Sequence, residues 1–394
     1  MELEDKLLWQ HLDHDPPNPS SVDVAAAIVA GRKRRRARAA SGLVGVAVLA
    51  TAAILAVPAG LRAFGDTGPN QVAIDPTTQP PEDLPVGPRP GGAGLDPTEC
   101  TVHRLPTPSG VTMGITSAID PTGRYVVGRT YRFIPNGIDE VPTIWHDGTL
   151  TPVPMEGADP NFYGVNAAGD AVGSSYVDDD KRAAWLYRAG TLVRIPGIDA
   201  EARAINAAGV IVGHVGERPA VWTSATAAPQ LLSDQSGMAF GIDEDGTIIG
   251  TMKSGGAVVW YPDHSQHPLP PPAGVSLAEA YGLGGGWAIG HGTSDADGRV
   301  GLRWNLRTGV ATAHPTVPNA RDATAAGSMV GYDDEGYALY ATEAATRRLP
   351  PVSTPVQMAD NIAVAVSEDG RTIAGQGVLN NADRTIVAVT WTCT

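Results

Sequence analysis

"GVNAAGDAVGSSYVDDDKRAAWLYRAGTLVRIPG", residues 164–197, decides the fold. It runs from a short apolar stretch through an N-x-x-G turn to a second apolar stretch that closes on Gly173. A polar segment follows, then an apolar run ending in the aromatic Tyr187, a second turn, and a short run ending in Pro196. Each run is too short for a helix and is bounded by turn residues, so the unit reads as four antiparallel strands, a to d.

The same order recurs along the chain. Clear copies stand at "AIDPTGRYVVG" (118–128), "AINAAGVIVG" (204–213), "GIDEDGTIIG" (241–250) and "AVSEDGRTIAG" (365–375), with weaker ones at "YGLGGGWAIG" (281–290) and "DATAAGSMVG" (322–331). The closing glycines are Gly128, Gly173, Gly213, Gly250, Gly290, Gly331 and Gly375, spaced 37 to 45 residues apart. An aromatic ends the apolar run after each: Trp145, Tyr187, Trp222, Trp260, Trp304, Tyr340 and Trp391. Four strands in roughly 40 residues make one blade of a β-propeller. The predicted fold is therefore all-β, a seven-bladed β-propeller of four-stranded blades over residues 100–394. The 47 glycines and 33 prolines suit that many tight turns.

These units resemble the HAF repeat of bacterial extracellular proteins, whose pattern is roughly G-I-N-x-x-G-x-V-V-G, a variable stretch, an apolar run ending in Trp, then x-x-G and a strand. The likeness spans about residues 112–391 and is carried by the Gly and Trp positions. Ala183, Ala184 and Trp185 stand where the His-Ala-Phe tripeptide would be, and units five and six have no Asn or Asp in the turn. The resemblance implies a propeller-like fold and an extracellular location. It transfers no catalytic residue.

The repeat frame gives the two cysteines a role. The last unit stops at Cys393-Thr394, after strand c, while "CTVHRLP" (100–106) matches the strand d of "GTLVRIP" (190–196). Counted from the aromatic, Cys100 falls at plus three and Cys393 at plus two. The first strand is thus expected to complete the last blade, with a Cys100–Cys393 disulfide clasping the seam.

Residues 39–61, "AASGLVGVAVLATAAILAVPAGL", pass without a charge, and as a helix cover about 34 Å, enough for a hydrocarbon core of about 30 Å. Just before them, "GRKRRRAR" (31–38) holds the basic flank that stays cytoplasmic. The expected topology is a cytoplasmic tail (1–38), one transmembrane helix (39–61), a Pro/Gly-rich stalk (62–99) and an extracytoplasmic propeller, in a compartment that permits the disulfide. A cleaved signal peptide, with "VPA" (57–59) as its site, is the competing reading; the long basic leader favours an anchor. In the tail, Leu3, Leu7, Leu8 and Leu12 form one helical stripe, so a cytoplasmic docking partner and a membrane-surface helix both remain open. The net charge of −14, more negative still outside the tail, argues against a nucleic-acid partner.

Function is less legible. The a–b turns are short and uniform, whereas the b–c and d–a connections vary, and variation on one face marks binding. The long b–c loops of units seven, one and two become neighbours when the ring closes. They nominate Tyr131, Arg132, Phe133, Tyr176, Lys181, Asn381 and Arg384 as ligand-binding residues. "YVDDDKR" with Asp178–Asp180 and "SDADGR" with Asp295 and Asp297 lack the oxygen spacing calcium needs, and His264 and His267 have no evident partner ligands. No catalytic residue, metal or cofactor is assigned. The expectation is a binding or sensing module for an extracellular protein, glycan or cell-wall ligand. The alternatives are a glycan- or peptide-processing enzyme at the propeller mouth, or a structural surface protein.

Overall fold

A computed structural model describes residues 91, 94–134, 137–177, 181–356 and 360–394. The tail, the apolar segment 39–61, nearly all of the stalk and Asp178–Asp180 lie outside the described residues. No helix long and apolar enough to cross a membrane occurs among those described.

Seven four-stranded antiparallel sheets form the blades. Six are built from consecutive strands. The seventh takes its three inner strands, Asn361–Val366, Thr372–Val378 and Ile386–Cys393, from the end of the chain, and its outer strand, Cys100–Arg104, from the start. The pairing sets Cys100 opposite Cys393 and Val102 opposite Trp391, and the two cysteines are disulfide-bonded. Backbone pairing continues past the bond, with Thr98 N–H donating to the Thr394 carbonyl at 2.8 Å. The sequence frame placed the cysteines one position apart; the ladder puts them directly opposite.

The recurring aromatic and proline form one device. The indole N–H groups of Trp145, Trp222, Trp304 and Trp391 donate to the carbonyls of Pro106, Pro196, Pro270 and Pro350 at 2.7–2.8 Å. Each proline stands two residues past the outer strand of the preceding blade, so every such bond ties two blades together while the indole fills their interface. Trp260, equally buried, has no partner for its N–H among the described residues. The blade before it ends in Gln230–Leu231, with no proline following.

The a–b turns interlock as well. Asn166 Oδ1 accepts the N–H groups of Ala168 and Asp170 at 3.0 Å, while its Nδ2 donates to the Asn206 carbonyl of the next blade at 3.0 Å. Asn206 repeats this toward the Asp243 carbonyl at 3.3 Å. Asp243 instead accepts from Gly286 N–H at 3.1 Å, which is why an acceptor-only side chain serves there. In blade five the turn is all glycine. A Cβ on Gly284 or Gly285 would stand 2.0 Å from the Ala323 carbonyl oxygen or 2.4 Å from the Ala325 Cα.

Before the first strand, the chain crosses this same uniform face. Gly91 N–H donates to the Ala325 carbonyl in the turn of blade six, and the Tyr340 hydroxyl donates to the Leu95 carbonyl.

Candidate functional site in the central channel

The innermost strand of every blade carries a β-bulge at the same place. The register shifts fall between Thr116 and Ala118, Phe162 and Gly164, Ala202 and Ala204, and Ala239 and Gly241. They recur between Ala280 and Gly282, Ala320 and Asp322, and Ala363 and Ala365. A bulge inserts one unpaired residue and re-aims its side chain. The seven inserted residues are Ser117, Tyr163, Arg203 and Phe240 in blades one to four, and Tyr281, Arg321 and Val364 in blades five to seven. All are half-buried, each preceded by a buried neighbour, and all line one central cavity of about 210 Å³.

The closing glycines now have a cause. Each pairs with the residue just before the bulge, as Gly213 does with Ala202. A Cβ on Gly213 would lie 1.9 Å from the Glu201 carbonyl oxygen, and on Gly173 2.0 Å from that of Asn161. The repeat's glycine therefore admits the bulge, and the bulge supplies the belt around the channel.

Five of the seven belt residues are aromatic or arginine, and they stack. The Arg203 guanidinium lies 4.3 Å from the Tyr163 ring centroid and 5.8 Å from that of Phe240. That of Arg321 lies 5.7 Å from the Tyr281 ring and 5.6 Å from Tyr332. The phenols are turned into the blades. Tyr281 donates to the Ala320 carbonyl at 2.5 Å and meets His291 Nδ1 at 3.0 Å. Burial pushes both Tyr163 and Tyr281 up to about 12, so each stays neutral.

The two arginines differ in their charge partners. Arg203 is ion-paired with the buried Glu201, which also meets Arg182 at 3.4 Å. Burial alone would raise the Glu201 carboxyl, but Arg203 and its other neighbours outweigh it and hold it below the usual range. His214, behind this cluster, is pushed down to about 4 chiefly by burial, so at neutral pH the guanidiniums alone balance Glu201. Arg321 reaches the Tyr332 hydroxyl at 3.4 Å and enters no ion pair among the described residues.

The cavity extends from the belt to the uniform face, where Asp243, Glu244 and Glu368 ring its mouth. Asp322, one residue past Arg321, also lines the cavity and accepts from the N–H groups of Val366 at 3.0 Å and Ala323 at 2.9 Å. Burial nonetheless pushes it up to about 7. No cluster of metal-ligating side chains occurs among the described residues.

The structure places the sequence-nominated residues on the other face, at the b–c hairpins of neighbouring blades. Most are engaged. The Tyr131 hydroxyl accepts from Arg129 Nε at 2.6 Å, and Arg132 pairs with Asp139 across its hairpin at 2.5 Å. Asn381 caps its own loop through Thr385, and Arg384 is bonded to the buried Asp360. Tyr176 is half-buried opposite Arg182. Lys181 is exposed, and Phe133, 62% exposed, stands opposite the exposed Ile138 at the hairpin tip. None of them lines the central cavity.

Sequence reading passed over the belt, although it has a signal. Its members occupy the position just before the small residue that opens most repeat copies: Tyr163 before "GVN", Arg203 before "AIN", Phe240 before "GID".

No protein-family model and no curated protein matches the chain. The HAF-like pattern therefore rests on its glycine and tryptophan positions. Among solved structures, one titled "YCF48 bound to D1 peptide" matches at a TM-score of 0.43 and 14% identity, covering 76% of this chain and 98% of that one. That likeness concerns architecture.

Proposed function

We propose that this chain is a membrane-anchored binding module whose extracytoplasmic propeller takes its ligand into the central channel. The observation that supports this most is the belt. Seven bulges interrupt seven ladders to aim Tyr163, Arg203, Phe240, Tyr281 and Arg321, among others, at one open cavity. Anchoring is supported by the uncharged segment 39–61 behind its basic flank, and the Cys100–Cys393 bond suits an oxidising compartment. Residues 62–99 would then act as the stalk and 1–38 as the cytoplasmic tail, whose leucine stripe suits a docking partner. Stacked rings and guanidiniums suit recognition of an extracellular protein, glycan or cell-wall fragment. They suit catalysis less, because the cavity carboxylates Asp243, Asp322 and Glu244 already accept backbone N–H groups.

The test is a melting-temperature panel of cell-wall fragments, glycans and peptides on the intact chain in a neutral detergent. A ligand that raises the melting temperature of the wild type but not of Phe240→Ala supports the channel site. Shifts that survive both Phe240→Ala and Tyr281→Ala contradict it.

A further inference from the structure

The cavity carries charges of opposite sign at its two ends, and neither is neutralised. At the belt, Arg203 has the carboxylate of Glu201, but Arg321, which lies against the Tyr281 and Tyr332 rings and the Tyr332 hydroxyl, enters no ion pair among the described residues. At the mouth, Asp243, Glu244 and Glu368 enter no ion pair among the described residues. The Glu368 carboxyl is held above its usual range by burial and then by the charges of Asp243 and Glu244.

We infer that the channel's ligand is a small dipolar molecule with a carboxylate on Arg321, an amine at the Asp243, Glu244 and Glu368 rim, and an apolar stem along the rings of Tyr281 and Phe240. This rests on the reading of the channel as the binding site. A purely anionic ligand would have to pass or face the acidic rim in a body that is already strongly negative. A purely cationic one would leave Arg321 desolvated and unpaired. A dipolar ligand satisfies both ends. Its length follows from the strand. Phe240 stands in the belt as Arg321 does, and Asp243 lies three residues beyond it, at most about 10 Å at ~3.3 Å per residue, which suits charges separated by several methylenes rather than sharing one carbon. A cavity of about 210 Å³ is smaller than most drug-sized sites, which suits such a molecule.

The probes are 6-aminohexanoate, hexanoate and hexylammonium, titrated calorimetrically into the intact chain in a neutral detergent. The expected result is that 6-aminohexanoate binds about tenfold tighter, or more, than either single-charge probe, as the loss of one charge-assisted hydrogen bond implies. Arg321→Met should reduce it to the level of hexylammonium, Arg321→Lys should keep part of the gain, and Glu244→Gln with Glu368→Gln should reduce it to the level of hexanoate. Equal binding of a single-charge probe, no binding of 6-aminohexanoate, or indifference to both Arg321 variants overturns the dipolar ligand. If such a single-charge probe loses its binding in Phe240→Ala, the channel still stands as the site. Binding that ignores Arg321→Met and Phe240→Ala alike overturns the channel reading itself.

Discussion

At Gly290 a Cβ would stand 1.7 Å from the Glu279 carbonyl oxygen, and the other closing glycines meet the equivalent carbonyl at 1.9–2.4 Å. The obstacle is backbone, which cannot swing aside, so the glycine is required by close approach rather than by its dihedral angles. Gly213→Ala should therefore lower the unfolding free energy by about 1–3 kcal/mol or more, whereas Gly255→Ala, facing open space, should stay within about 0.5 kcal/mol. Denaturant melts of the two variants check this. The glycines were plain in the sequence, but their purpose was not. An inserted residue breaks the two-residue alternation from which a side chain's direction is read, so the belt was invisible to periodicity. Buried His214 makes a second prediction. Its native value of about 4 lies below its unfolded value near 6.5, so the unfolded chain takes up the proton first. The stability this contributes is present above pH ~6.5 and lost as pH falls toward ~4, by up to a few kcal/mol. His214→Gln should flatten the stability profile in that window relative to wild type. Asp322, raised to about 7, slopes the opposite way and cancels in that difference. A profile unchanged by the substitution would contradict the account.

Among the elements, the outer strand Cys100–Arg104 has the most consequence for its size. Its ladder closes the last blade from the front of the described chain, and the disulfide bridges a separation of 293 residues. Replacing both cysteines by serine should cost about 2–5 kcal/mol. Hydrogen exchange should then show protection lost first in Cys100–Arg104 and its partner Ile386–Cys393, with the inner strands of blades two to five keeping theirs. Uniform loss around the ring would mean that the seam is not the weak point. This element was legible to within one position of register, because the repeat has a fixed order and the strand d missing from the last unit is matched by Cys100–Pro106. The strands and turns of the other blades were legible for the same reason, down to the weaker units five and six. The Trp–Pro bonds were legible only as two recurring letters. Their pairing crosses from one blade to the next, and no pattern within one repeat reveals it.

At the scale of the whole ring, the described propeller presents two faces of different character. The variable face bears the b–c hairpins, whose polar residues are largely spent on one another: Tyr131 on Arg129, Arg132 on Asp139, Arg384 on Asp360. The uniform face bears the acidic mouth of the central cavity and, leading into the ring, Gly91 and the segment 94–99. Loop variability drew the sequence reading to the first face, since a loop's length is visible in a sequence while a channel is made only when seven blades close. The central claim is that binding belongs to the channel and not to the hairpins. The most direct measurement compares ligand-induced melting shifts of the intact chain in two double variants, Phe240→Ala with Arg321→Ala, and Tyr131→Ala with Phe133→Ala. The account predicts that the shift disappears in the channel pair and survives in the hairpin pair. A shift that survives in the channel pair and disappears in the hairpin pair would contradict it.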